Sequence, residues 1–533
     1  MALHMVDDPQ DQEEYNDNSG NTGDSRNTGG SSSGGLFSLL PMLFGLFGRG
    51  GGGKGGGKGG LLLLLLIAGA AYFLFNKGGG SGGAVNNIVQ TLFSQSGYSY
   101  DPEQFRQASV YEGLEDNNAK NPLPESISLA AYAPQRMNQG KQGSCVAWSA
   151  TYAARTILEA SASNADPNSL AYSPAFIYNN IALEDCQGSY LLNAMKFMQK
   201  AGAVPFQDFP YNENDCRRQA TNTLYQKAAE NKIHGFQRLT ETDNVNNINI
   251  RAIKEHLAKD APVVIGMMVG GSFMQGMMGQ KVWRPTGADR QQRGFGGHAM
   301  CVIGYDDRVQ GGAFEIMNSW GPEWGQNGIG FVRYADFKEF VREAYGIDPL
   351  PKKGAALNTA MECLVGLVSN DTRQNIALKP SGSNTYKTVT PIKKGARFKI
   401  EIKNNTACYI YIFTPDVNQK SFVLFPYKPI HSPYCGITGY RLFPKSESIM
   451  ADDIGNKEVM GIVISKKELD YNAINNAINQ QSGDSYAQQL NSAIGSTTDK
   501  NVQFSAGANG SVQFRSSSAD NSVVLTVVEI DKQ

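Results

Sequence analysis

The sequence predicts an α+β chain, and three observations carry that prediction. After Cys145 an Ala-rich stretch (Ser149, Ala150, Ala153, Ala154, Ile157, Leu158) repeats its apolar positions at helical spacing. The runs Val263–Val269 and Ala299–Tyr305 are apolar throughout and read as buried strands. Beyond residue 370, short β runs are separated by turns rich in Asn, Asp and Gly. With 533 residues, two or three domains are expected.

Taken in order, residues 1–35 are rich in Asp, Asn, Gly and Ser and lack apolar periodicity, so they are expected to be disordered. Met1–Met5 read as a vector remnant and are set aside from fold reasoning. Residues 36–48 are apolar but broken by Pro41 and Gly45, and a Gly-rich basic stretch with Arg49, Lys54 and Lys58 follows. Residues 61–75 form an uninterrupted apolar run. At ~1.5 Å per residue it spans roughly 22 Å, short of the ~30 Å hydrocarbon core unless the flanking glycines extend it. Basic residues are denser before it than after it. It therefore reads as a signal-anchor helix within a 36–78 segment, with the N-terminus in the cytoplasm and the rest outside; a buried or self-associating helix, or a leader for export, is the alternative. Residues 79–121 read as a linker or short pro-segment that could cover a cleft.

The segment Gln139-Gly140-Lys141-Gln142-Gly143-Ser144-Cys145 places Cys145 at the start of the Ala-rich helix. There it faces unsatisfied N–H groups and the positive end of the dipole, which favour a nucleophilic thiolate. The chain has five histidines, and His298 alone opens a buried strand, after Gly296-Gly297. Downstream, Asn318-Ser319-Trp320-Gly321 lies between two strand patterns. A Cys, a His and an Asn in this order can transfer acyl groups: the imidazole takes the thiol proton and the amide orients the ring. Cys301 and Cys363 read as core, Cys408 as a strand residue, and His234, His256 and His431 as surface or structural.

These three motifs together resemble the papain-like cysteine peptidases (family C1), closest to their bacterial and archaeal branch, over roughly residues 122–368. The resemblance implies a two-lobed fold, a helical lobe and a β lobe with the cleft between them. It implies Cys145 as nucleophile, His298 as general base and acid, Asn318 as its orienting amide, and Gln139 as a donor to the oxyanion. Trp320 would shield the His298–Asn318 bond, and Gly188 with Ser189 would pair with the substrate backbone. Gln142 stands where the family often has a cysteine, and Val146 follows the nucleophile where plant and animal members carry Trp. The usual disulfide is then missing, and Cys186 is left with Cys216 as a candidate partner in an oxidising compartment.

Helices are expected near 173–183, 189–201 and 246–260. The Gly- and Met-rich stretch 270–279 reads as a mobile loop near the cleft, its methionines either lining a pocket or sitting in the core. Residues 369–533 are expected to form a β-sandwich-like accessory domain interrupted by a polar helix near 467–495. The strand pair ending in Leu424-Phe425-Pro426 resembles a bacterial domain of uncharacterised function (the DUF4384 type), which implies a protein partner or scaffold rather than chemistry.

The net charge of −1 gives no electrostatic case for nucleic acid. No His-Glu-x-x-His or paired Cys-x-x-Cys points to a metal, and the Gly-Lys pairs within 50–60 lack the Ser or Thr of a phosphate loop, so no cofactor is expected. The expected activity is a peptidase acting on polypeptides, endopeptidase because no insertion blocks one end of the cleft. A papain-fold binding module with little turnover is the rival, and a secreted effector peptidase is a third reading.

Overall fold

The structure is a computed structural model of the chain. It describes residues 4–7, 97–239, 248–353, 360–517 and 522–533. The anchor reading of 61–75, the 36–78 segment around it and the Gly-Lys stretch lie outside the described residues. Among the described residues, no helix is long and apolar enough to cross a membrane.

A single helical run carries the first lobe: Cys145–Ala147, a π-helical stretch Trp148–Arg155, then Thr156–Ser163. Its small side chains let neighbours pack on all sides, so Cys145, Val146, Ala147, Ala150 and Ala154 are wholly buried. Asn164 ends the run in the left-handed region (φ 53°), where Asn is tolerated. Pro174–Ile181 starts with Ser173 accepting from the Phe176 N–H, and proline fills its first turn. Leu191–Lys200 follows, close to the expected bounds. The amphipathic helix is shorter than expected, Ile250–Leu257, because Asn249 caps it by accepting from the Ala252 N–H.

The second lobe is a sheet in which Val263–Val269, Gly296–Asp306, Ala313–Met317 and Ile329–Arg333 lie side by side, with Val341–Ile347 on the far side of the first. The register sets Glu343, Gly266 and Ala299 abreast on three adjacent strands. Directly opposed residues share a face of the sheet, and the Ala299 end of this row reaches the Cys145 sulfur through its N–H.

The C-terminal region is a sandwich of two sheets, built around Arg397–Asn404 and Met361–Ser369 in one and Lys457–Ser465, Cys408–Pro415 and Val523–Asp531 in the other. Their facing residues, among them Val365, Ile400, Ile402, Ile410, Ile412, Ile462 and Val528, form one core. Three expectations are corrected here. The sandwich includes Met361–Ser369, so its boundary falls before residue 361 rather than at 369. The polar helix is two helices, Tyr471–Asn479 and Tyr486–Ile494, which cover the outer face of the second sheet. Within the tail expected to be disordered, His4–Asp7 is an edge strand paired with Glu447–Met450, and Met5 packs against the sandwich core.

Residues 109–121 run between the peptidase-like lobes and the sandwich. The Val110 N–H donates to the Ile430 carbonyl, Glu115 N–H to Tyr440, and Tyr111 N–H to Arg238. Arg441 is fully buried there and donates to the carbonyls of Glu112 and Ile437 and to Asn404. Lys120 pairs with Glu401 on the outer face of the first sandwich sheet.

Candidate active site

The helix start and the strand Gly296–Asp306 meet at Cys145. Its Sγ accepts from the Ala299 N–H (3.4 Å), the residue after His298. His298 Nε2 donates to Asn318 Oδ1 at 2.8 Å, and the Ser319 N–H donates to the same oxygen at 2.7 Å. Trp320 stacks on the imidazole, with ring centroids 4.2 Å apart and planes at 25°. The indole covers one face of the His298 ring beside the His298–Asn318 bond.

Gln139 is buried in the same place. Its Oε1 accepts from the Ser319 hydroxyl (2.6 Å) and its Nε2 donates to the Gln142 carbonyl (2.9 Å). A primary amide has two N–H bonds, so one remains for an oxyanion. Thus Cys145, His298, Asn318, Gln139 and Trp320 are brought together, and Ser319, unremarked in the motif, is what fixes the Gln139 amide.

Gly188 and Ser189 are also at the cleft, but a segment of the chain already occupies their pairing edge. Tyr98–Ser99 pairs in parallel with Ser189–Tyr190, and the Ser189 N–H donates to the Gly97 carbonyl at 3.0 Å. Gly188 adopts φ +94°, and Gly97 passes between it and Gly143 so closely that a Cβ on Gly97 would overlap the Gly143 carbonyl. The Gly97 N–H faces the Cys145 sulfur together with those of Ala299, Val146 and Cys145 itself. No periodicity or motif in Gly97-Tyr98-Ser99-Tyr100 signals this placement.

Burial under the segment sets the electrostatics. Desolvation pushes the Cys145 thiol up to about 12 against the pull of those four N–H groups. Desolvation also pushes His298 down to about 4, against the raising effect of its bond to Asn318. With the cleft covered, thiol and imidazole are both neutral across the physiological range.

The 270–279 stretch is held rather than free. It contains the short helix Gly271–Met274, and Phe273 is wholly buried against Trp283, Trp320 and Trp324. Met277 is core and Met278 is exposed. Cys186 and Cys216, 30 residues apart, form a disulfide beside the Gly188 turn. Cys301, Cys363 and Cys408 are buried and free. His256 is buried, and His234 bonds Asp348 at 2.8 Å. Among the described residues no group of three or more His, Cys, Asp or Glu is placed to hold a metal ion.

A thiol at a helix start, with an imidazole whose far nitrogen is tied to an amide, is chemistry for opening acyl bonds, and the class is the cysteine-type peptidases. Residues 124–348 match the family model described as the papain family of cysteine proteases. Among similar proteins, the cathepsin B-like CP2 of Giardia intestinalis is 27% identical over 224 residues, which is 39% of this chain and 68% of that protein. Mouse (Mus musculus) cathepsin K is 27% identical over 216 residues, 39% of this chain and 60% of its own length. The solved structure of xylellain, a cysteine protease from Xylella fastidiosa, covers 48% of this chain and 97% of its own, with 24% identity and a TM-score of 0.40.

Proposed function

We propose that the chain is a papain-like cysteine endopeptidase that hydrolyses polypeptides through a Cys145 thioester. The observation that carries this reading is the His298 Nε2–Asn318 Oδ1 bond of 2.8 Å beside a cysteine sulfur at a helix start. With Nε2 tied to Asn318, Nδ1 of His298 is the nitrogen that takes the Cys145 proton. The thiolate attacks the peptide carbonyl, and the oxyanion sits between the Gln139 amide and the Cys145 N–H. His298 then protonates the leaving amine, and water, deprotonated by the same imidazole, cleaves the thioester. Trp320 keeps water from the His298–Asn318 bond. Gly188 and Ser189 offer the backbone edge on which substrate lies.

Residues 97–100 hold that edge and lie against the sulfur, which supports a latent form of the enzyme. Activation then requires the segment to leave, letting water reach the cleft and the thiolate–imidazolium pair form. Replacing Gly97 with Ala introduces a Cβ that the Gly143 carbonyl cannot accommodate. Full-length Gly97→Ala protein is expected to cleave casein or peptides faster than wild type, and Gly97→Ala combined with Cys145→Ala not at all. Equal cleavage with and without Cys145 would sink the peptidase reading.

The reading extends to a tether at 61–75, with the peptidase domain outside the cytoplasm in the cell envelope or exterior, or to a secreted form. The apolar run and the density of basic residues before it support this. Carbonate extraction of native membranes should leave the full-length protein in the pellet; recovery in the supernatant would refute the tether. A protein partner of the sandwich is part of the same reading, supported by the resemblance of the strand pair ending in Leu424-Phe425-Pro426 to a scaffold-type domain.

A further inference from the structure

We propose that Tyr211 is a positioning residue for the oxyanion site: its phenolic oxygen clamps the two ends of the 139–145 loop and so sets the Gln139 amide against the Cys145 N–H. This rests on the peptidase reading above and adds a residue that acts on the reaction through Gln139 and Ser144.

The loop carries both oxyanion donors, one at each end. Gly140 and Gly143 stand between them, so the loop's own backbone resists displacement weakly. Gln142 stands where a cysteine would fasten the loop by a disulfide. The Tyr211 hydroxyl lies 2.7 Å from the Gln139 carbonyl and 2.6 Å from Ser144 Oγ. A carbonyl only accepts, so the one phenolic proton goes to Gln139, and the Ser144 hydroxyl donates to Tyr211. One oxygen therefore ties Gln139 to the residue before the nucleophile.

The neighbours of Tyr211 hold the middle of the loop. The Gln142 amide donates to the carbonyls of Asn212 and Glu213, at 3.4 Å each, and the Lys141 N–H donates to Glu213 Oε2 at 2.6 Å. Gly140 adopts φ +66°, and a Cβ there would overlap that carboxylate. Residues 211–213 thus do by hydrogen bonds what a cysteine at 142 would do by a covalent link. They are fixed in turn. The Tyr211 ring packs edge-on against Trp148, with centroids 4.9 Å apart, and Cys216 ties the segment to Cys186 beside the Gly188 turn.

Loss of the phenolic oxygen leaves this ring packing and the thiol in place but frees both ends of the loop. The charge that the two donors meet develops only on the way to the tetrahedral intermediate, so their misplacement is felt in kcat rather than in KM.

The test compares full-length Gly97→Ala protein, in which the cleft is expected to be open, with the same protein carrying Tyr211→Phe. The expected result on a quenched fluorescent peptide is a kcat roughly 10–100-fold lower, with KM changed less than about twofold. Both proteins are also treated with iodoacetamide. That reaction is a displacement at carbon and develops no oxyanion, so Cys145 should be alkylated at the same rate in each. A merely structural role would slow alkylation as well. Should Tyr211→Phe not fold, Ser144→Ala, which removes one of the two bonds, replaces it; kcat should fall severalfold with alkylation unchanged. A kcat within about twofold of the parent, a fall matched by an equal fall in alkylation, or a change confined to KM overturns the assignment. Failure of the peptidase reading looks different: the parent cleaves no peptide, or cleavage survives Cys145→Ala.

Discussion

The papain-family domain and the sandwich both bury polar groups, but the two sets are arranged differently. In the first, Ser319 links Gln139 to Asn318, Asn318 holds His298, and the residue after His298 donates to the Cys145 sulfur. In the second, Arg441 spends its guanidinium on two backbone carbonyls and Asn404, and Lys532 pairs with Asp452 and Glu458. Those cations complete the fold and leave nothing directed at a ligand. Burial of a polar residue is thus no mark of a site by itself. What separates the two regions is whether the bonded groups stand beside a reactive atom, here the Cys145 sulfur next to His298 in the fold.

The largest expected effect breaks chemistry in one region and spares the other. Cys145→Ala should lower peptide cleavage by at least about 10⁴-fold, as loss of a nucleophile does in other acyl-transfer enzymes. Cys408→Ala, in the sandwich core, should change kcat/KM by less than about twofold under native conditions, because its effect is on packing. A reversal of these two results would erase the distinction drawn here.

Next in size are effects on stability. Arg441→Met strands the Glu112 and Ile437 carbonyls, while Asn404 Oδ1 keeps the Gly439 N–H, and should cost about 3 kcal/mol, read from the urea midpoint. An unchanged midpoint would mean that the bonds around Glu112 and Ile437 do not fasten the 109–121 segment to the sandwich. Acid acts on the first region instead. Burial lowers His298 and His256 to about 4, so between about 6.5 and 4 the unfolded chain binds more protons than the folded one. Their contribution is full above the unfolded value and is lost as pH falls. Glu343, raised by burial to about 7, works the other way, favouring the fold at low pH and losing that advantage as pH rises from 4.5 to 7. On these three groups the two histidines prevail, and stability should fall by about 3 kcal/mol between pH 6.5 and 4. A His256→Gln variant should show a shallower decline in the same urea titration; an identical slope would show that His256 is already charged in the fold.

The smallest effect sharpens the geometry of the site. Asn318→Ala frees the imidazole from its fixed orientation and should reduce kcat by about 10–100-fold while KM moves little. A change in KM alone would place Asn318 in substrate binding rather than in holding His298.

Much of the fold and the candidate site was legible in the sequence, and for a physical reason. Gln139, Cys145, His298 and Asn318 lie in motifs whose spacing encodes local geometry, a turn into a helix or a strand start, so each residue's neighbours announce its position. Strands such as Val263–Val269 are buried on both faces and read as unbroken apolar runs. The sandwich strands were legible too, but not the sheet that Met361–Ser369 joins, since a single strand carries no record of its partners. The same limit hid the seat of the Tyr98 ring, which lies over Gly266 with its hydroxyl on Glu343. Tyr98, Gly266 and Glu343 are far apart in sequence and meet only through register, and a tyrosine beside a glycine has no distinguishing pattern. The edge strand His4–Asp7 lay in a polar setting where its pairing partner, 447–450, was equally invisible.

The central claim is that Cys145 is the reactive nucleophile of a cleft now covered by residues 97–100. The most direct measurement is the rate at which a peptide-like epoxide alkylates each cysteine, followed by mass spectrometry, in wild-type and Gly97→Ala full-length protein. The expected result is a single adduct, on Cys145, formed slowly in wild type and at least about tenfold faster in Gly97→Ala, with Cys301, Cys363, Cys408 and Cys435 unmodified. A folded Gly97→Ala protein whose Cys145 remains unlabelled, or is labelled no faster than the four core cysteines, would contradict it.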